Sequence, residues 1–339
     1  MRITIVGAGC IGGLLGAAFQ HTGIAVKLVD RGGHLRALQV QGLQVTRPDG
    51  SILRVFPCDA VADTAECGIQ DVVFLALKAH QITGALDSIG ALLGPETTVV
   101  TLQNGIPWWY FQCHGGPHEG HIIDGTDPGG YIARRIDPEQ IVGCIAYPAV
   151  SWVAPGHIRH VEGTRFPVGT LDGRNSEAVM RVSELLQSAG FKSPILPDIR
   201  SEIWLKAIGN LSFNPIGALT HGTLADIGGH PGTRELARRM MEEGEAVATS
   251  LGVTLRLPIE RRLEGARRVG PHRPSMLQDV ESGQPLEAGA LVAAVAELGE
   301  LTGTPTPTIS SVLALTNLLN QIIINEQTAI VRRPRDAVG

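Results

Sequence analysis

Arg2-Ile-Thr-Ile-Val6, followed at once by Gly7-Ala-Gly9-Cys-Ile-Gly12, is the stretch that decides the fold. A β-branched run leads into a glycine-rich turn, and the turn opens an apolar helical pattern. Such a turn suits a dinucleotide: Gly7 permits the tight bend, Gly9 lets the backbone approach the pyrophosphate, and Gly12 packs against the strand. The N-terminus of the following helix favours the phosphates. We therefore predict a dinucleotide-binding loop made of Gly7, Ala8, Gly9, Cys10, Ile11 and Gly12.

The first half of the chain alternates short β-branched runs with helical patterns, which predicts βαβ units around a parallel sheet. The predicted strands are Arg2–Val6, Ala25–Val29, Val72–Leu75, Thr98–Leu102, Ile122–Asp124 and Val142–Val150. The predicted helices are Gly12–His21, His34–Gln41 and Ile82–Leu93. A hairpin is expected over Gly42–Val55, inserted at an edge. A closing antiparallel pair is expected from His157–Val161 and Arg165–Gly169.

After Pro197 the pattern becomes helical, without a comparable strand signal. The predicted helices are Arg200–Asn214, Thr233–Leu251, Ile259–Val269, Leu286–Gly303 and Pro307–Asn325. The fold class expected is therefore α/β, an N-terminal Rossmann-type doubly wound sheet plus an all-helical C-terminal domain. We place the dinucleotide-binding Rossmann domain at residues 1–197 and a helical substrate and dimerisation domain at residues 198–330. A flexible tail is expected at residues 331–339.

Composition and charge exclude several classes of protein. A net charge of −5, with no long run of Lys or Arg, argues against partners such as nucleic acid or an acidic membrane surface. Five irregularly spaced cysteines fit a reducing compartment better than a disulfide framework. Neither a signal peptide nor an uninterrupted apolar run of membrane-spanning length is evident. We expect a cytoplasmic protein without a membrane or nucleic-acid partner, and a homodimer through apolar stripes such as Leu286–Leu301.

Polar residues follow several predicted strands, where open α/β sheets bind ligands. Asp30 closes the second strand at a position where a carboxylate bonds the adenosine ribose, which favours NAD(H). Arg31 follows and could pair with the 2′-phosphate of NADP(H) instead, so both cofactors stay open, with NAD(H) slightly favoured by Asp30. Lys78 and Gln81 follow another strand, and Asn104 follows the next. We expect these two loops to contact the cofactor, although a solvated lysine and an Asn-Gly turn are the simpler alternative.

A polar stripe runs along an otherwise apolar helix in the second half. Lys206, Asn210 and Asn214 are spaced i, i+4, i+8, which places them on one arc of a helix. Because burying an unpartnered polar group costs several kcal/mol, something polar must face this stripe, either the protein or a ligand. Ser275 and Glu287 lie further along, and alone they fit a helix cap and a first-turn acid.

Taken together, these motifs resemble the ketopantoate reductase (2-dehydropantoate 2-reductase) family over nearly the whole chain. The matching segments are Gly7–Gly12, Leu77–Gln81, Gln103–Gly105, Glu202–Pro215, Ser275–Asp279, Glu287 and Gly303–Pro307. The resemblance implies reduction of a 2-oxo acid to the D-2-hydroxy acid with NAD(P)H. It also implies roles for individual side chains. Lys206 would be the general acid, Glu287 would orient it and bind a substrate hydroxyl, and the substrate-binding residues would be Asn104, Asn210, Asn214 and Ser275.

Two alternatives stay open. One is a related nicotinamide-dependent dehydrogenase acting on a 3-hydroxy acid or an imine, although an imine reaction has less need of the Lys206 ammonium. The other is a non-catalytic NAD(P)-binding sensor, which would need none of Lys206, Asn210, Ser275 and Glu287. For Lys206 itself, an internal ion pair that only fixes helix packing is the structural alternative.

The chain departs from the family pattern at two places. Many members carry a second acid two residues after the glutamate, where this chain has Gly289, then Val292 and Ala293. A less polar pocket wall puts ketopantoate itself in doubt as the substrate. The long segment from Pro107 to Gly130 adds an aromatic cluster, Trp108–Phe111, which either caps a bulky substrate or packs beneath the loop. Three histidines in that loop, His114, His118 and His121, lack the frame of a zinc site, so no metal is expected.

Overall fold

The computed structural model of the chain describes residues 1–332. The chain divides into two compact units. The first is Met1–Ile122 with Asp127–Ile199, and the second is Ile123–Thr126 with the chain from Arg200 onward. Residues 333–339, which make up most of the predicted tail, lie outside the described residues.

The first unit is built on a seven-stranded sheet with the order β11-β8-β7-β6-β1-β2-β5. All neighbours pair in parallel except β11 with β8, which is antiparallel. The predicted Rossmann-type, doubly wound sheet is thereby confirmed. The strands are β1 Ile3–Val6, β2 Lys27–Val29, β5 Ala60–Val61, β6 Val72–Leu75, β7 Thr98–Thr101, β8 Ile141–Cys144 and β11 Val168–Thr170.

Strand order reverses at β1, which has β2 on one side and β6 on the other. The carboxyl ends of parallel strands meet at one edge of a sheet, so the turns after β1, β2, β6 and β7 gather at that edge. β1, β6 and β7 are buried along their whole length, which explains their unbroken apolar runs. The helices of this unit are α1 Cys10–His21, α2 Gly32–Gln41, α3 Ala79–Ile82, α4 Leu86–Gly90 and α5 Glu177–Ser188.

A second, four-stranded sheet of order β4-β3-β10-β9 belongs to the same unit. Its strands are β3 Leu43–Thr46, β4 Ile52–Val55, β9 Ala149–Ala154 and β10 His157–Glu162. The predicted hairpin over Gly42–Val55 is present as β3 and β4, but it joins this second sheet. The predicted pairing of His157–Val161 with Arg165–Gly169 is wrong. β10 pairs with β9 and β3, while β11 closes the large sheet against β8, because non-local partners compete with the sequence neighbour.

Three further predictions of local structure are wrong. Val142–Val150 is two strands in different sheets, β8 and β9. Ile122–Asp124 forms no strand, since it lies in a long run of turns and short 3₁₀ segments between β7 and β8. The predicted helix Ile82–Leu93 is broken into α3, a 3₁₀ turn at Thr83–Ala85 and α4, and Gly84 in that turn weakens helix continuity.

The second unit is helical, as predicted. Its helices are α6 Ile199–Thr220, α7 Leu224–Gly229, α8 Pro231–Ser250, α9 Ile259–Val269, α10 Ser275–Ser282, α11 Ala294–Thr302 and α12 Pro307–Glu326. Helix α6 begins with Ile199, which is grouped with the first unit. The expected end of this helix at Asn214 is wrong, because the helix continues through Pro215. Buried side chains on both sides of the proline offset the backbone hydrogen bond that proline removes.

Helix α12 presents an exposed apolar face. Leu315, Leu318 and Ile322 are 56%, 57% and 37% exposed, and their spacing places them on one face. The prediction that Leu286–Leu301 forms an exposed contact surface is wrong, since the large side chains of this segment are mostly buried in the core of the unit. Among the described residues, α12 alone is long and apolar enough to cross a membrane by length and composition.

Candidate functional site

The turn between β1 and α1 has the geometry of a dinucleotide-binding loop. Gly7 has φ +94°, and its N–H donates to the Val29 carbonyl at 2.9 Å. A Cβ on Gly12 would collide with the Gly7 carbonyl oxygen, so this position requires glycine for packing alone. A Cβ on Gly9 would meet no protein atom within 4 Å. The backbone at Gly9 therefore faces open space, which leaves room for a ligand to approach it closely.

Two side chains hold the middle of this loop at Ala8. The Ala8 N–H donates to the Asp30 carboxylate at 2.7 Å, and the Ala8 carbonyl accepts from His34 Nε2 at 2.8 Å. The other Asp30 oxygen accepts the Arg31 N–H at 2.7 Å. Asp30 thus lies beside the glycine loop, and its role as a ribose-binding acid stays a prediction. It also has a structural task that the sequence did not indicate, the fixing of the loop backbone.

His34, in the first turn of α2, is a residue that motif reasoning missed. The Gly156 N–H donates to His34 Nδ1 at 3.0 Å, so Nδ1 carries no proton and Nε2 is the donor to Ala8. The ring also lies 4.7 Å, centroid to centroid, from that of Trp152 in β9. A neutral imidazole therefore connects the glycine loop to the turn between β9 and β10. No local signal reveals this, because Gly156 lies far away in sequence.

We expect His34→Leu to raise the dissociation constant of NADH and NADPH about tenfold, because the variant cannot make the two hydrogen bonds that hold the loop. His34→Gln is the matched control, since its amide offers one donor and one acceptor and should retain most of the affinity. Fluorescence titration with each cofactor gives the measurement. Unchanged affinity in His34→Leu would show that the loop does not need this support.

The loops after β6 and β7 are tied together by Gln103. Its side-chain amide donates to the Leu75 and Leu77 carbonyls at 2.7 and 3.0 Å. Lys78 caps α3, and its N–H donates to the Gln81 side chain at 3.0 Å. Asn104 directly follows Gln103 and is half-buried. The structure thus brings Lys78, Gln81 and Asn104 to the sheet edge that carries the glycine loop.

In the helical unit, α6 presents the predicted polar stripe. Lys206 and Asn210 are half-buried, while Asn214 is buried. The Asn214 side-chain oxygen accepts from Ser275 Oγ at 3.3 Å and from the Met276 N–H at 3.5 Å. The structure therefore brings Asn214 and Ser275 together. Asn214 caps the first turn of α10 and orients Ser275, a structural contact that accompanies its predicted substrate-binding role.

A buried arginine behind this stripe was not predicted. Arg262 of α9 is 8% exposed, and its Nη1 donates to the Leu205 carbonyl at 2.6 Å. Its Nε donates to the Leu257 carbonyl at 3.2 Å. The guanidinium therefore fixes the turn of α6 that carries Lys206. The arginine lies in a basic stretch of the sequence, which gives no sign that one of its members is buried.

Glu287 lies at the beginning of a helix with an irregular first turn. The side chain is 7% exposed, and the residues after it, Gly289–Ala293, form a π-helical turn that continues into α11. The Leu286 N–H donates to the Asn320 side chain of α12 at 2.8 Å. Single π turns recur at functional sites, where the extra residue redirects a side chain. Glu287 thus lies two residues before the first residue of this π turn.

The aromatic cluster of the long loop packs within the first unit. Trp108, Trp109, Tyr110 and Phe111 are each at most 2% exposed, and Trp109 Nε1 donates to Thr101 Oγ1 at 3.0 Å. The alternative that the cluster packs beneath the loop is thereby favoured. The three loop histidines surround the Phe111 ring at centroid distances of 5.4 to 5.6 Å. Within residues 1–332, no group of three or more His, Cys, Asp or Glu side chains is arranged to hold a metal ion.

Two sequence models of one protein family, one for the N-terminal part and one for the C-terminal part, match this chain. The model described as ketopantoate reductase PanE/ApbA matches residues 3–108, and the corresponding C-terminal model matches residues 198–320. A 2-dehydropantoate 2-reductase of Mesorhizobium japonicum is 52% identical over 320 residues, covering 94% of this chain and 98% of that relative. The chain belongs to the ketopantoate reductase family. It is accordingly an oxidoreductase with a Rossmann-type NAD(P)-binding domain, and the resemblance read from the sequence is confirmed.

Solved structures of other proteins are also similar to this chain. The 2-dehydropantoate 2-reductase of Geobacter metallireducens aligns with a TM-score of 0.82 at 25% identity, covering 94% of this chain and 99% of that one. A D-mandelate dehydrogenase solved with NADH and anilino(oxo)acetate aligns with a TM-score of 0.81 at 21% identity, covering 96% and 100%. At that identity the second likeness shows the fold alone.

Proposed function

We propose that the protein reduces a 2-oxo acid, ketopantoate or a related one, to the D-2-hydroxy acid with NAD(P)H. Lys206 would act as the general acid and Glu287 would orient it. The observation that carries this proposal lies in the helical unit. There α6 presents Lys206 and Asn210 on one stripe and, through Asn214, holds Ser275 at the start of α10. A packing lysine needs no such set of polar groups beside it.

The chemistry asked of these residues follows from the reaction. Bound NAD(P)H would supply the hydride, and the ketone oxygen gains negative charge as its carbon is reduced. A positioned ammonium at Lys206 stabilises that charge and then supplies the proton. Asn210 and Ser275 would bind the polar groups and carboxylate of the acid, with Asn104 contacting both substrate and nicotinamide. Glu287 would orient the Lys206 ammonium and accept a hydrogen bond from a substrate hydroxyl.

The residues of the glycine loop fit a dinucleotide. Gly9 leaves room for the pyrophosphate, and it directly precedes α1, whose N-terminus favours phosphate groups. Asp30 would accept from the adenosine ribose and thereby favour NAD(H), since a 2′-phosphate next to a carboxylate is repelled. Arg31, which is exposed beside it, is the group that would favour NADP(H).

A panel of 2-oxo acids assayed with both cofactors tests this function. We expect turnover with 2-oxo acids, from pyruvate and ketopantoate to bulky branched and aryl acids, and tighter binding of NADH than of NADPH. Reduction of imines or 3-oxo acids with no activity on any 2-oxo acid would contradict the proposed reaction. Tighter binding of NADPH would show that Arg31 outweighs Asp30.

We further propose that two copies associate through α12. The face formed by Leu315, Leu318 and Ile322 is apolar, exposed and continuous over two helical turns. In a twofold-symmetric pair the same face of each copy meets the other, so an exposed apolar face of this kind suits such a pair. We expect sedimentation velocity at physiological pH and ionic strength to show a dimer. A monomer at all protein concentrations would contradict the proposal.

A further inference from the structure

A short segment of the long loop, Ile123–Thr126, belongs to the helical unit although the residues on both sides of it belong to the first unit. It forms a closed turn, in which the Thr126 N–H donates to the Ile123 carbonyl at 3.0 Å. Ile123 is fully buried and Thr126 is 7% exposed. This four-residue turn, which we call the anchor segment, is therefore a packed part of the helical unit.

The anchor segment is bound by a carboxylate at its centre. The N–H groups of Asp124 and Gly125 donate to the two carboxylate oxygens of Glu297, at 2.8 and 2.9 Å. Glu297 lies in the first turn of α11, directly after the π turn. Two charge-assisted hydrogen bonds to one carboxylate give the segment a defined position on the helix.

Gly125 and Gly289 face each other without room for a side chain. A Cβ on Gly289 would collide with the Gly125 carbonyl oxygen, and a Cβ on Gly125 would lie 2.9 Å from the Ala294 nitrogen. That nitrogen donates to the Gly289 carbonyl, which is the hydrogen bond that makes the turn π-helical. Neither glycine has a positive φ, so the requirement is one of space rather than of backbone conformation. The anchor segment therefore covers the irregular hydrogen bond itself.

We propose that the anchor segment is a positioning element for Glu287. A π turn is rare because it is less stable than the α-helix, so it persists where the surroundings hold it. If the anchor segment were displaced, the helix would relax towards a regular α-helix. A π turn contains one residue more than an α-helical turn, and each residue of an α-helix accounts for about 100° of rotation around the helix axis. The change to a regular α-helix therefore rotates the residues before the turn by about 100°. Glu287, two residues before the π turn, would then point away from its present direction.

This inference rests on the proposed role of Glu287, yet its structural part can be tested separately. A crystal structure of the full-length Gly289→Ala variant should show a shifted anchor segment, a regular α-helical turn at residues 288–293 and a redirected Glu287 side chain. A π turn and a Glu287 side chain unchanged in that crystal would overturn the inference, whatever the reaction is. Gly125→Ala, which adds its methyl group from the opposite side, should give the same result.

Kinetics then separate positioning from stability. Gly289→Ala and Gly125→Ala should lower kcat about 10- to 100-fold, because small misplacements of a catalytic group cost this much, while the dissociation constant of NADH stays unchanged. Introduced into Glu287→Gln, either glycine change should have no further effect on kcat, since both act through one carboxylate. Equal losses in both backgrounds would show a merely structural role and overturn the inference. If Glu287→Gln itself leaves kcat unchanged, the proposed role of Glu287 fails, and the crystal structure still decides whether the anchor segment directs it.

The chain offers two matched variants. Gly265→Ala lies in helix α9, where an added Cβ meets no atom within 4 Å, and it should leave both kcat and the melting temperature unharmed. Glu297→Gln keeps the size of the side chain but removes one of the two acceptors, and it should reproduce the fall in kcat in milder form. It also serves if either alanine variant fails to fold.

Discussion

Lys206→Met is expected to lower kcat for the reduction of a 2-oxo acid by about 1,000-fold, because it removes both the proton donor and the charge that stabilises the forming alkoxide. The methionine side chain is similar in length and apolar, so it fits the half-buried position on α6 without adding volume. Steady-state rates with saturating cofactor and substrate give the measurement. Binding of the cofactor should be preserved, because the glycine loop and Asp30 belong to the other unit.

Lys192→Met is the control for this change, since Lys192 is exposed on the first unit and lies in no predicted binding segment. It should retain the wild-type rate. If Lys206→Met kept a rate within about tenfold of wild type on a good substrate, Lys206 would not be a general acid, given what such groups contribute.

Gly9→Val is the change with the next largest expected effect, a rise of about 100-fold or more in the dissociation constant of NADH and NADPH. A side chain at this position meets no protein atom at its Cβ, so the fold should tolerate it. The branched side chain would instead fill the space that the pyrophosphate needs, and a 100-fold weaker affinity corresponds to about 2.7 kcal/mol of binding free energy. Isothermal titration with both cofactors gives the affinity, and thermal melting reports on the fold.

Gly33→Val provides the comparison in the same unit. Gly33 also has open space around its Cβ and no positive φ, but it lies in α2 rather than in the dinucleotide loop. Its cofactor affinity should stay at the wild-type value. If Gly9→Val bound cofactor normally while folded, the dinucleotide would have to bind elsewhere.

The sequence predicts those parts of the molecule whose physical cause is local. The turn at Gly7–Gly12 is of this kind, because strand, turn and helix follow one another within a few residues. The same holds for α8, α9 and α12, whose apolar periodicity is contained in their own segments. The site residues of α6 could be proposed because their i, i+4 spacing is a local pattern.

What the sequence does not reveal depends on contacts between distant residues. The orientation of His34 depends on a hydrogen bond from the distant Gly156 N–H, and β3 pairs with β10 as well as with β4. Arg262 is one of several basic residues in its stretch, and only tertiary packing selects it for burial. Such choices are decided by the whole fold, which overrides local propensity.

At Gly289, where the chain departs from the family pattern, the role of the residue also depends on a contact between distant residues. From the sequence, the glycine indicates a less polar wall where many family members have an acid. In the structure it is the place where the backbone of Gly125 contacts the π turn, a contact between residues far apart in the chain. A glycine is therefore required at this position by a loop residue that is distant in the sequence.

Proton donation by the ε-ammonium of Lys206 is tested most directly by single-turnover rates of oxo-acid reduction, measured from neutral to alkaline pH in wild type and in Lys206→Met. The wild-type rate should fall at high pH as the acid loses its proton, whereas the slow residual rate of the variant should lack that fall. A variant profile that keeps the wild-type alkaline fall would contradict the mechanism, because the titrating acid would then be another group.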